Sequence, residues 1–467
     1  MAISAFPLPQ DVAFDAELVR RYGGAGPRYS SYPSIDRLNE SFDADSYAQA
    51  LASRRLGWVR PLSLYVHLPF CSSDCYFCAC NKVVTTDHSR ADLYLDHLAL
   101  EISQQAHLLD QHSTIDQLHL GGGTPNFFAP HQLKRLMQML ERHFNRQPDS
   151  ECSIEIDPRG LAPDTLAQLA VLGFNRISLG VQDLDQSVQQ AINRVQSAEQ
   201  TEAAIMAGRR FGFLSINIDL IYGLPRQCAK GFATTLATVR RWRPDRIALY
   251  DYAHLPERFK PQRLINPTEL PPPALRFELL QEAVSTLLEA GYLYLGMDHF
   301  ALPDDELAVA LRQGRLQRNF QGYSTHADSD LIGLGVSAIS KIGPHYSQNQ
   351  RELNEYYDTL RRGHLPIARG LTLNADDLVR RAVIQALLCQ SELAFEPIET
   401  AYLIDFRHYF AREWPRLEQL ATDGLIELET DGIVITPRGR LLARAVALTF
   451  DRYLSEARDM ARFSRII

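Results

Sequence analysis

LSLYVHLPFCSSDCYFCACNK, residues 62–82, decides the reading of the whole chain. Its first nine residues read as an apolar strand, and the ten that follow carry four cysteines, Cys71, Cys75, Cys78 and Cys80. A C-x3-C-x2-C run placed directly after a strand puts ligands at the strand's C-terminal end, where parallel barrels keep their active face. Three thiolates so spaced reach three corners of a four-iron cubane and leave the fourth iron open to a non-protein ligand. The competing reading, a structural zinc site, draws its ligands as pairs from separated segments; no second pair of that spacing occurs. Cys80 stays open between a fourth ligand and another role. Cys152, Cys228 and Cys389 read as inert core residues.

Working outward, the segments TIDQLHLG, CSIEID, RISLGVQ, SINIDLIYG and DRIALYDYA read as further strands. RADLYLDHLALEISQQAHLL, PDTLAQLAVLG and AEQTEAAIMAGRRFG lie between them with helical spacing of apolar residues. Six strands separated by helices predict a parallel α/β sheet, since parallel neighbours need crossover connections. The strand ends carry His67, the cysteine loop, GGGTP, Glu155, Gln182 and Asp219. That placement favours a partial (β/α)6-type barrel over a doubly wound sheet.

The expected domains are an N-terminal arm (1–60), polar and punctuated by GGAGPRYSSYPS, the barrel (61–345) and a mostly helical C-terminal domain (346–467). In the last, DDLVRRAVIQALLC and WPRLEQLATDGL read as helices and GLIELETDGIVITPRG as a hairpin, followed by a helix over RLLARAVALTFDRYL. The order is winged-helix-like, but the acidic turn ETDG would repel a phosphate backbone. A packing or lid module is the expectation.

Composition excludes some partners. A net charge of -8 gives no reason to expect nucleic acid. Five lysines stand against 43 arginines, a bias that suits a carboxylate-rich substrate and equally an arginine-biased genome. No apolar run approaches the roughly 20 residues of a membrane span, and the N-terminus lacks a signal peptide's basic and apolar regions. Seven cysteines, four of them within ten residues, suit a reducing, cytoplasmic compartment and metal work.

The stretches GPRYSSYP, YVHLPFCSSDCYFCACNK, GGGTP, SIEIDPR, SLGVQD, INRVQ, NIDLIYGLP, DYAHLP, GMDHFALPDDELA, QRNFQGYST and DLIGLGVSAIS run from residue 26 to about 340. Together they resemble the oxygen-independent coproporphyrinogen III oxidases, a branch of the radical S-adenosylmethionine (SAM) superfamily. The resemblance implies a 4Fe-4S cluster on Cys71, Cys75 and Cys78, with Tyr65 and Cys80 as catalytic positions. It implies SAM contacts at Tyr65, Phe77, Gly122, Gly123, Thr124, Glu155, Gln182, Arg194 and Asp219, and contacts at the adenine end from Ala253 and Ile339. Two SAM molecules per chain are implied, as is an unidentified reductase acting on a monomer. The implied reaction turns two propionates of coproporphyrinogen III into vinyls, giving protoporphyrinogen IX, by hydrogen abstraction with a 5′-deoxyadenosyl radical. Arg28 and Tyr29 of the arm are candidates for holding the substrate carboxylates.

Two alternatives share the cysteine loop and GGGTP: a haem-binding chaperone of the superfamily and a radical enzyme acting on another tetrapyrrole. Chaperones of that kind typically lack the fourth cysteine and PRYSSYP. The chain departs from the family pattern at Ala79, commonly glycine, at Ser72, Ser73 and Asp74, and at His326 and Ala327.

Overall fold

A computed structural model describes residues 12–54, 60–109, 113–326, 329–454 and 463–467. Ala327 lies outside the described residues, as do parts of the expected arm and C-terminal domain. The described residues form two compact units, one drawn from 38–271 and 328–372, the other from 1–37, 272–327 and 373–467.

In the first unit all six expected strands form: β1 (Leu62–Leu68), β2 (Thr114–Gly122), β3 (Asn145–Ile156), β4 (Arg176–Gln182), β5 (Ser215–Tyr222) and β6 (Arg246–Asp251). They lie side by side in chain order, every pair parallel. Beyond β1 the sheet continues through β7 (Asp330–Leu334), parallel to β1. Three antiparallel strands then follow: β8 (Ile339–Ile342), β9 (His345–Asn349) and β10 (Ile367–Thr372). This is the partial (β/α)6-type barrel of the sequence reading, widened by a hairpin extension that the alternation of strand and helix did not reveal. Side chains of β1 are buried on both faces, as a parallel strand covered by helices requires.

One buried acid locks the mouth of this unit. Helix Ser89–Leu108 buries Ala91, Tyr94, Leu95, Leu98 and Ile102 at helical spacing, and Glu101 shares that face, fully buried. A buried carboxyl is tolerable only when its lone pairs are used. Glu101 accepts from Gly335 N at 2.7 Å, the Asn349 amide at 2.6 Å and the Tyr356 hydroxyl at 2.6 Å. Two turns earlier, Tyr94 donates to the His67 carbonyl at 2.7 Å and accepts from Val336 N at 3.1 Å. Gly335, at φ +98°, is where the β7–β8 loop passes this hydroxyl; a Cβ there would sit 2.4 Å from it. Helix, β1 end and loop are thereby tied in one place.

In the second unit, helix Ala375–Gln390, strand Glu392–Ala394, helix Trp414–Thr422 and the hairpin Ile426–Leu428/Gly432–Ile435 give the winged-helix-like order. The run expected as one helix, RLLARAVALTFDRYL, is instead a 3-10 turn, helix Ala443–Ala447 and a second 3-10 turn. Tertiary ties override its helical period: Arg440 donates to Tyr294 O at 2.9 Å, and Arg444 donates to Pro27 O at 3.0 Å and Arg465 O at 2.9 Å. The arm is less of an arm than its polarity suggests. Leu18, Tyr22, Tyr29 and Tyr32 sit in the same core as Phe406, Phe410 and Phe450. Tyr29 donates to Asp451 at 3.1 Å, and Arg28 pairs with Asp298.

Glu101→Ala would leave three buried donors unpaired and should destabilise the chain by about 3 kcal/mol or more, read as a lower midpoint in chemical unfolding. Burial pushes the Glu101 carboxyl up to about 7, against the three donors that lower it. The folded chain therefore keeps this proton longer than the unfolded chain, whose value is 4.5. The stability it lends is full below about pH 4.5 and falls as pH rises through about 7. Relative to Glu101→Gln, the wild type should thus lose stability between about pH 5 and about pH 8.

Candidate functional site

At the C-terminal ends of β1 to β6 the first unit opens a cavity of about 550 Å³, within the range of cofactor sites. Cys71, Cys75, Cys78 and Cys80 line it, with Phe77, Gly122, Gly123, Thr124, Glu155, Gln182, Arg194 and Asp219. Twelve residues singled out from the sequence thus share one space. Tyr65, Ala253 and Ile339 are not among its lining residues. Tyr65 lies on β1, Ala253 just past β6, and Ile339 opens β8.

The cysteine loop has little regular structure, so its backbone is held by neighbours. Phe70–Cys71 pairs in parallel with Val83–Val84. Tyr76 N donates to Ile192 O at 3.0 Å, the Asn193 amide to Asp74 O at 2.8 Å, and the Gln262 amide to Phe77 O at 3.1 Å. GGGTP closes against the same loop: Gly123 N donates to Leu68 O and Thr124 N to Phe70 O, both at 2.9 Å. Glycine is required here by space, because a Cβ on Gly123 would lie 2.7 Å from the Pro69 carbonyl and one on Gly122, at φ +116°, 2.6 Å from the His67 ring.

His67 donates from Nε2 to Asn81 O at 2.8 Å, which leaves Nδ1 to accept from the Tyr65 hydroxyl at 3.0 Å. Burial lowers its basicity, consistent with that neutral tautomer. Tyr65 also stacks on His119, with centroids 5.8 Å apart. Its phenol is held protonated by burial and by the nearby Glu155 charge.

Two of the cavity's three acids, Glu155 and Asp219, are driven apart. Burial would raise Glu155, but the His119 ring at 3.4 Å and Gly122 N at 3.1 Å hold it below its ordinary value. Burial and the Glu155 charge push Asp219 up to about 7, although Asn217 and Ser178 hydrogen-bond it. One acid is a fixed anion; the other can both donate and accept near neutrality.

Around the sulfurs, Thr124 Oγ1 donates to Cys71 at 3.2 Å and Cys80 N to Cys78 at 3.4 Å. Arg194 and Arg159 donate to Cys75 at 3.5 and 3.6 Å. The hydrogen bond from Cys80 and the Lys82 ammonium bring the Cys78 thiol well below its ordinary value. Sequence reasoning assigned no role to Asp157, Arg159, Lys82 or His119. Asp157 and Arg159 lie inside SIEIDPR, and an acid and a base two residues apart just past a strand end were a usable signal. Lys82 closes the cysteine loop and is one of only five lysines.

Among the described residues, no three His, Cys, Asp or Glu side chains converge as they would on a single metal ion. A cubane asks for something else, thiolates facing a shared space on separate irons, and three loop thiols facing one cavity meet that demand. The cavity also holds two buried polar atoms with no hydrogen-bond partner, Gln182 Oε1 and Arg194 Nε. Gln182 itself sits at φ +66°, a strained conformation of the kind that persists where surroundings enforce it. A guanidinium edge, an amide oxygen, an anionic carboxylate and an acid near neutrality fit an amino-acid headgroup joined to a ribose.

Comparison with known proteins agrees with this geometry. Residues 65–238 match the Radical SAM superfamily, and residues 373–442 the HemN C-terminal domain. An oxygen-independent coproporphyrinogen III oxidase of Pseudomonas aeruginosa is 53% identical over 459 residues, 98% of this chain and 99% of that one. The Escherichia coli protein of the same name is 46% identical over 458 residues, with the same coverage of each. A solved structure of coproporphyrinogen III oxidase from Escherichia coli, described as a radical SAM enzyme, superposes with a TM-score of 0.90. It is 45% identical and covers 95% of this chain and all of its own. A cysteine-loop cavity on a partial barrel and near full-length identity lead to one assignment: the chain belongs to the oxygen-independent coproporphyrinogen III oxidase family of radical SAM enzymes.

Proposed function

We propose that this site carries out the oxidative decarboxylation of two propionate side chains of coproporphyrinogen III to vinyl groups, giving protoporphyrinogen IX without oxygen. The observation that carries the reading is the meeting, in one cavity, of three loop thiols with an unpartnered guanidinium nitrogen and amide oxygen. In this reading Cys71, Cys75 and Cys78 bind the 4Fe-4S cluster. Phe77, Gly122, Gly123, Thr124, Glu155, Gln182, Arg194 and Asp219 serve SAM, with Tyr65 beside them. Two SAM molecules share these positions, with Ala253 and Ile339 at the adenine end. When bound, cluster and SAM supply a 5′-deoxyadenosyl radical that takes hydrogen from the β-carbon of a propionate. Per vinyl formed, the side chain would give up that hydrogen, its carboxyl as carbon dioxide and one electron, the last to an external acceptor, while a separate reductase would supply the electron that cleaves SAM.

The chain's own residues supply binding, orientation and dryness. Arg194 is gripped by Asp157 at 3.1 Å and by the Gly180 carbonyl at 2.8 Å, which holds its guanidinium at the cavity wall as a partner for a carboxylate. Glu155, kept anionic, accepts from an ammonium. Asp219 exchanges hydrogen bonds with ribose hydroxyls, and Phe77, Ile156 and Ile221 line the cavity with apolar surface that displaces water.

Holoenzyme given coproporphyrinogen III, SAM and a strong reductant under anaerobic conditions should release two carbon dioxide molecules per protoporphyrinogen. Tight haem binding with no carbon dioxide from cluster-loaded protein would favour the chaperone instead. Cys71→Ser, Cys75→Ser and Cys78→Ser should each lose the cluster's iron and its absorbance, while Cys80→Ser keeps both. Iron loss confined to Cys80→Ser would redraw the ligand set. Arg194→Ala removes a charge-assisted hydrogen bond of about 1.5–3 kcal/mol, so SAM affinity measured by equilibrium dialysis should fall about 10- to 100-fold at normal iron content.

A further inference from the structure

Each of the three loop sulfurs meets a different donor. Cys71 takes a neutral hydroxyl from Thr124, and Cys78 a backbone amide beside the Lys82 ammonium, itself paired with Asp74 at 3.1 Å. Cys75 faces two guanidiniums. One belongs to Arg194; the other, Arg159, points Nη2 at the sulfur from 3.6 Å.

The aim of Arg159 is built from several bonds. Its backbone N, Nε and Nη2 all donate to the Asp157 carboxylate, at 3.0, 3.0 and 2.6 Å. Asp157 is fixed in turn by Asn126, which exchanges two 2.9 Å hydrogen bonds with its backbone N and O. The same carboxylate takes Arg194 Nη1 at 3.1 Å. Burial opposes ionisation of Asp157, but the two guanidiniums hold it below the ordinary carboxylate range. Two cations and one anion therefore leave net positive charge against one sulfur. In the proposed reading Arg194 also serves the SAM carboxylate, whereas Arg159 has both its Nε and Nη2 committed to Asp157 and the sulfur.

We infer that Arg159 is a positioning residue that sets the reduction potential of the cluster through the sulfur of Cys75, an inference that rests on the ligand reading above. Reduction adds one negative charge to the cluster, and a cation hydrogen-bonded to a ligand sulfur stabilises the reduced form. Asp157 acts in the opposite sense, by neutralising part of that cation. The pair makes acceptance of the electron a property of the β3 end as well as of the cysteine loop.

The test is an EPR-monitored redox titration of anaerobically reconstituted holoenzyme without substrate. Arg159→Gln should lower the reduced-to-oxidised ratio about tenfold at a given poise, a one-electron shift of about 59 mV, with iron content and SAM affinity as in the wild type. Arg159→Lys, which keeps the charge, should recover most of the loss, and Asp157→Asn should shift the midpoint upward. Equal midpoints in all three variants, or shifts of the same sign in Arg159→Gln and Asp157→Asn, would overturn the inference. If Arg159→Gln fails to hold iron, the Lys and Asn variants decide alone: a near-normal and a raised midpoint support it, any other pair refutes it. Absence of a cluster from the wild type would refute the ligand reading instead, a distinguishable outcome.

Discussion

In the proposed reading ten residues, Cys71 to Cys80, hold three ligand sulfurs still with almost no secondary structure of their own. Every loop backbone group drawn inside needs a partner, and here partners come from three other segments. Ile192 and Asn193 hold its first half, Gln262 its middle, and GGGTP lies across its start. Much of what surrounds the loop can be understood as support for it. The two glycines that admit GGGTP, the turn of INRVQ and the His67 ring on the Asn81 carbonyl are all packing solutions to that one demand.

The second demand is electrostatic. Within one cavity sit four thiols, a carboxylate kept charged and a carboxyl pushed up to about 7. A site of like charges in low dielectric would drive its groups neutral. The chain offsets this with cations placed at the sulfurs: Lys82 near Cys78, Arg159 and Arg194 at Cys75. Cations therefore stand at the thiols, two of them sharing Asp157, while Glu155 and Asp219 lie on β3 and β5.

How far this could be read in the sequence follows from the range of each interaction. The six strands were legible because apolar residues recur at every second position on the face packed by helices, and the cysteine loop because a candidate ligand set on one loop is local in sequence. Glu155, Gln182, Arg194 and Asp219 were placed by resemblance, and the fold brings them together from four segments. The antiparallel extension β8–β10 was missed, since short strands with polar residues such as Ser340 and Gln348 carry no strong period. The arm's tyrosines are a related case: they look like polar loop residues, yet Tyr29 and Tyr32 are core, with Tyr29 using its hydroxyl on Asp451. Pairings such as Asp157 with Arg194 span 37 residues and leave no local trace.

The buried Glu101 shows how distant residues bear on the site without touching it. Its carboxylate and the Tyr94 hydroxyl fasten the β7–β8 loop and the His67 carbonyl to one helix. His67 then fixes Tyr65 through Nδ1 and the cysteine loop through the Asn81 carbonyl. A hydrophobic residue at position 101 could fill the same volume, but it could not hold Gly335, whose φ of +98° gives the loop its course past Tyr94. Burying a carboxyl costs stability that apolar packing would not. What the carboxyl supplies is direction: it holds Gly335 while Tyr94 holds the next residue, Val336, and the His67 carbonyl.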